Sequence, residues 1–203
     1  MAAEFSHCEQ SEAIHDFQQH GLPRCARGDD VSVQGPYAVS GQVRGVRSDV
    51  PKQPAPLLVL AWGNLSRGDD ALGPLCLAAL REQDSLQGQV AFLEDYQLQI
   101  EHALDLIGRQ RVLLIDASLS CAAPFEVTAL RAARDASHTT HALSPQALLQ
   151  VFQDLQGEPP PPCTLLAIRG EAFELGERPG ASALVHLQSA LQWARRWLHA
   201  DGD

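Results

Sequence analysis

LLVLAWGNLSRGDDALGPLCLAALREQ, residues 57–83, sets a continuous apolar run, a glycine-bounded polar turn and a periodic apolar segment in immediate succession. The run LLVLAW (57–62) suits a strand buried on both faces, as in a parallel sheet. From Ala71 to Gln83, Leu72, Leu75, Leu77, Ala78 and Leu80 gather near one side of a helix, with Pro74 in its first turn, where a missing N–H costs little. Outward from this unit the alternation continues. VAFLED (90–95) predicts a second strand and LQIEHALDLIG (98–108) a helix with Leu98, Ala103, Leu104 and Ile107 as its apolar positions and Gly108 as its stop. RVLLIDA (111–117) is a third buried strand that ends in a carboxylate, and FEVTALR (125–131) alternates like a half-exposed edge. Ser144-Pro145 has the form of an N-cap followed by proline at N1, opening a helix to about Leu155 with Ala147, Leu148, Val151 and Leu155 inward. TLLAIRG (164–170) is the fifth strand. Leu184, Leu187, Leu191, Ala194 and Leu198 make one stripe on a last helix over 181–199. Five strands interleaved with four helices predict an α/β fold: a five-stranded, mostly parallel twisted sheet with helices on both faces.

The chain has 203 residues, of which 45% are apolar and 20% charged, which is ordinary globular usage. Its formal net charge of −10 repels phosphate backbones, so no nucleic-acid partner is expected. The longest uncharged apolar stretch, 57–62, is far short of the roughly 20 residues that span a bilayer, so no membrane association is expected. No apolar h-region marks a secretory signal, and five scattered cysteines form no CxxC pair. The expected compartment is the reducing cytoplasm. Residues 1–55 lack a sustained apolar period and close on Pro51 and Pro54, so they read as a poorly ordered extension ahead of a single α/β domain over 56–203. His7, Cys8, His15, His20 and Cys25 within that extension match no closed zinc spacing.

In a doubly wound sheet, ligands bind beyond the carboxyl ends of the strands, near the reversal of strand order. Three places there carry chemistry. Asp69 and Asp70 stand side by side after the first strand. One acid suffices to cap the helix that follows, a role assigned to Asp69, and the second then needs a separate explanation because adjacent carboxylates repel. Asp116 ends the third strand; a structural carboxylate bonded to a loop N–H is the plain alternative. His141 lies in the loop before the fourth helix, with His138 three residues earlier. Two carboxylates and an imidazole without a thiolate suit a borderline divalent ion such as nickel, zinc or manganese, with positions left open for substrate or water. No GxSxG, HExxH or glycine-rich phosphate cradle is present. Arg67 and Arg169 are the sole cations near the edge, too few for a phosphate-dependent enzyme. Cys76, Cys121 and Cys163 read as structural.

VLAWGNLSRGDDALGP (59–74), VLLIDAS (112–118) and HALSPQALL (141–149) together resemble the [NiFe]-hydrogenase maturation proteases, the endopeptidases that trim the C-terminal extension of the hydrogenase large subunit. The resemblance covers about residues 57–198, and the segment from Asp95 to His102 further resembles the branch serving bidirectional, NAD-coupled hydrogenases. It implies that Asp70, Asp116 and His141 are the metal-binding and catalytic residues, His141 fitting the spacing to Leu143 and Leu148 better than His138. It also implies that the nickel is supplied by the substrate: the ion arrives in the immature large subunit, and the three side chains complete its coordination beside the scissile bond. The same residues would serve a non-catalytic nickel-sensing or chaperone module that grips the large subunit without cutting it. The large-subunit precursor is the expected partner, and a monomer the expected state.

Overall fold

Asp49–Asp203 form one compact unit. The computed structural model describes residues 54–83, 88–134 and 143–200, so the extension before Pro54 and both loop histidines, His138 and His141, lie outside the described residues. The elements run in chain order as β1 (Leu57–Trp62), a 3₁₀ turn (Gly68–Ala71), α1 (Leu72–Arg81), β2 (Val90–Asp95), α2 (His102–Asp105), β3 (Arg111–Ser118), β4 (Phe125–Ala129), α3 (Pro145–Gln156), β5 (Cys163–Arg169) and α4 (Ala181–His199). The strands form one sheet in the order β2-β1-β3-β5-β4, parallel except for β4, which runs antiparallel to β5. The expected mostly parallel α/β architecture is therefore present, with β4 at an edge.

Helices cover both faces. On one, α1 and α4 bury Leu72, Cys76, Leu80, Leu187, Ala190 and Ala194 against Val59, Ala61, Leu113, Ile115, Leu166 and Ile168. On the other, Leu98, Ala103, Leu106, Leu148, Leu149 and Phe152 close over Leu58, Leu60, Trp62, Val112 and Leu114. Every residue of β1 is buried because the strand is interior to the sheet and covered twice, which is why its sequence is a continuous apolar run rather than an alternating one. The β4 edge is mostly exposed, and Phe125 is tilted against Trp193 of α4 at 6.2 Å between ring centres. The Arg111 guanidinium lies 4.6 Å from the Trp197 ring and donates to the Ala200 carbonyl at 2.7 Å, closing the C-terminus of α4. No helix among the described residues is long and apolar enough to cross a membrane.

Two helical expectations need correction. The segment 98–108 is helical only over His102–Asp105, and Leu104 and Ile107 are 57% and 42% exposed, while Leu106 is fully buried. The turns on either side of this short α-helix close on three-residue bonds (His102 to Gln99, Ala103 to Ile100, Leu104 to Glu101, Ile107 to Leu104). Ala103 and Leu106 are buried together, and Leu104 and Ile107 are exposed together. In α3 the buried residues are Ala147, Leu148, Leu149 and Phe152, whereas Leu155 in the last turn is exposed and Val151 half-buried. The start of α3 is as expected: Ser144 Oγ accepts from the Ala147 N–H at 3.1 Å, with Pro145 next in the chain.

Candidate functional site

The chain passes from β1 to β2 on one side and crosses back to β3 on the other, so the strand order reverses between β1 and β3. Asp70 follows β1 and Asp116 lies near the end of β3, one on each side of this switch point. The first turn of α1 sits directly on the strand ends: a Cβ on Gly73 would lie 2.6 Å from the Trp62 carbonyl oxygen and 3.0 Å from that of Ile115. Only glycine permits that approach, and it carries the preceding turn, with Asp70, over the end of β3. Asp70 Oδ2 then accepts the Asn64 N–H at 2.9 Å, while Asn64 Oδ1 accepts the Ser66 N–H at 2.8 Å. The loop is thus fixed by its own side chains.

Asp116 shares the strand parity of Val112 and Leu114, the face covered by α2 and α3. Its Oδ1 accepts the N–H of Ala117 at 2.8 Å. Burial pushes the carboxyl up to about 7, and the like charge of Asp70 pushes in the same direction; the Ala117 N–H and the Trp62 side chain pull back without cancelling the rise. Asp70 is thus near enough for its charge to act on the partly buried Asp116. Oxygen donors in this arrangement fit a divalent cation, which would relieve the repulsion, and a carboxyl titrating near neutrality can take up or release a proton there.

Of the three residues expected at the site, the structure brings Asp70 and Asp116 into electrostatic contact, and His141 lies outside the described residues. Among the described residues, no group of three or more His, Cys, Asp or Glu side chains could hold a metal ion. The expectation for Asp69 is overturned. Neither the 3₁₀ turn nor α1 has a side-chain cap, and the Asp69 carboxylate instead accepts from Glu171, Ala172 and Gly180. The expected structural cysteines Cys76, Cys121 and Cys163 are all buried.

A second feature beside the site falls in the segment from Asp95 to His102, to which the sequence reading gave a resemblance but no chemical role. A cleft of about 350 Å³ is lined by residues 63–66 and by Glu94, Asp95 and Tyr96. Asp95 ends β2 as Asp116 nears the end of β3, and its Oδ2 lies 3.3 Å from Nε2 of the buried His102, whose Nδ1 accepts the Gln99 N–H at 2.9 Å. With Nδ1 accepting, Nε2 carries the proton and donates to Asp95. A carboxylate closing an apolar strand, as in VAFLED, was the available signal.

No known family model matches the chain, and no curated protein matches it. Solved structures do. The hydrogenase maturating endopeptidase HybD from E. coli is 22% identical, with 70% of this chain and 91% of that one covered and a TM-score of 0.54. A [NiFe] hydrogenase maturation protease HycI from Thermococcus kodakarensis KOD1 is 17% identical, covering 72% and 94%, with a TM-score of 0.55. A hydrogenase 2 maturation peptidase from Thaumarchaeota archaeon SCGC_AB-539-E09 is 18% identical, covering 71% and 99%, with a TM-score of 0.52. At such identities the likeness is one of architecture, and the architecture of this chain is that of the hydrogenase maturation endopeptidases.

Proposed function

We propose that the chain is an endopeptidase of the [NiFe]-hydrogenase maturation family that removes the C-terminal extension of a large-subunit precursor after nickel has been inserted. The observation that carries this reading is the pairing of Asp70 with Asp116 across the switch point of this fold, with Asp116 raised to about 7 by burial and by Asp70. Two acids held together in this way favour a positive partner, and here the ion belongs to the substrate. Asp70 and Asp116 would supply oxygen ligands to the substrate-borne nickel. His141 would supply the nitrogen: the chain leads from it into α3, which packs on the sheet face that also carries Asp116. The ion would polarise the attacking water, or a carboxylate of the pair would take its proton. The gripping of nickel makes cleavage, which is irreversible, follow metal insertion.

The experiment is to incubate the purified full chain with nickel-loaded and nickel-free large-subunit precursor and to weigh the precursor by mass spectrometry. Trimming of the loaded form alone is the expected result. Equal trimming of both would overturn nickel recognition, and binding without trimming would make the chain a nickel-sensing chaperone. Asp70→Ala and Asp116→Ala should each reduce trimming at least a hundredfold while leaving the folded circular dichroism spectrum in place.

A further inference from the structure

The two-carboxylate site leaves the first acid of the pair unused. Asp69 is 1% exposed, and its carboxylate has three donors, none of them a cation. Oδ2 accepts from Glu171 at 2.7 Å and from Ala172 at 2.9 Å, and Oδ1 from Gly180 at 2.8 Å. All three belong to the segment 170–180 between β5 and α4. Burial opposes the charge on Asp69, but the three N–H groups and the nearby His186 outweigh it and hold the carboxyl below its ordinary range.

The same two segments are bound together by their backbones. Asp69 N–H donates to the Ala172 carbonyl at 2.7 Å, Gly68 N–H to Glu177 at 3.1 Å, and Gly176 N–H to Ser66 at 2.7 Å. Arg67 Nε adds a bond to the Phe173 carbonyl at 3.0 Å. The contact is tight. Gly68 has φ +55°, and a Cβ there would lie 2.5 Å from the Ala172 carbonyl oxygen. Along the chain, then, adjacent carboxylates serve different partners: Asp69 the segment 170–180, Asp70 the Asn64 N–H and the charge of Asp116.

We infer that Asp69 is a positioning residue for Asp70. By fastening the β5–α4 segment to the glycine loop, it fixes the backbone from which Asp70 reaches the switch point. Three amide donors on a buried carboxylate resist rotation of that backbone far better than the single bond of an ordinary cap. The relevance to catalysis rests on the endopeptidase reading; the mechanical link between Asp69 and Asp70 does not.

Asp69→Asn in the full chain tests the link, since asparagine keeps the size but removes the charge and turns an acceptor into a donor facing an N–H. Amide hydrogen exchange followed by NMR should show the Glu171, Ala172 and Gly180 amides at least tenfold faster. The Asn64 amide, which donates to Asp70 and not to Asp69, should also quicken severalfold, with Leu114 and Leu166 in the core unchanged. Arg67→Ala, an exposed change that spares the buried carboxylate, should move the same amides in the same direction by less, and it carries the test if Asp69→Asn does not fold. Against loaded precursor, kcat should fall at least tenfold with KM within threefold. An Asn64 amide as protected as in the wild type, while 171, 172 and 180 open, would overturn the inference, as would an unchanged kcat. If the wild type itself trims no precursor, the endopeptidase reading fails, and the exchange at Asn64 still decides the role of Asp69.

Discussion

Asp116 closes an otherwise apolar run, and its charge is opposed by burial and by Asp70. The sign of the consequence follows from linkage. With its folded value raised to about 7 and its unfolded value in the ordinary carboxylate range, the native state holds a proton that the unfolded chain has lost between about pH 4 and 7. Stability from this group is therefore full in acid and is lost as pH rises through about 7. Asp116→Asn removes the effect, so the variant should gain about 4 kcal/mol on the wild type between pH 4 and pH 8, an order-of-magnitude figure. Urea unfolding at the two pH values measures it, and a difference independent of pH would remove the strained-acid account. Asp69 has the opposite sign: its lowered value stabilises the fold above the ordinary carboxylate range and is lost as acid protonates it. The sequence showed that one acid of the pair needed a role beyond capping. It could not show that neither is a cap, because three amide donors a hundred residues downstream become neighbours of Asp69 only on folding.

At the scale of elements, the long periodic segments were readable and the short one was not. α1 and α4 present apolar residues at spacings of three and four over enough turns to define a face. Over 98–108 the helix is only four residues long, too short to define a periodic face, and Leu104 and Ile107 point to solvent. Truncation distinguishes the two faces. Leu106→Ala should cost about 2–4 kcal/mol by the usual cavity cost, whereas Leu104→Ala should stay within about 0.5 kcal/mol. Denaturant midpoints of both variants check this, and equal losses would restore the longer helix. At the other end of the register of difficulty, Ser144→Ala should destabilise α3 by about 1 kcal/mol, as loss of an N-cap does.

For the molecule as a whole, two helical layers make the sheet interior inaccessible, and the thiols report on it. Burial pushes Cys76 and Cys163 up to about 12, so neither is a thiolate at neutral pH. Alkylation followed by peptide mapping should leave both unlabelled in the native protein and label them at the rate of global unfolding in denaturant. Rapid native labelling of Cys76 would show that the α1–α4 layer opens. The sequence by itself determined the alternation of strands and helices, the double covering of β1 and the placing of carboxylates at strand ends, because periodicity and composition are properties of local stretches. Only the tertiary structure decided that β1 lies next to β3, that the charge of Asp70 therefore acts on the buried Asp116, and that Asp69 belongs to the β5–α4 segment. Each of these depends on which distant residues become neighbours, and that is set by closing the sheet and packing both its faces, not by spacing along the chain.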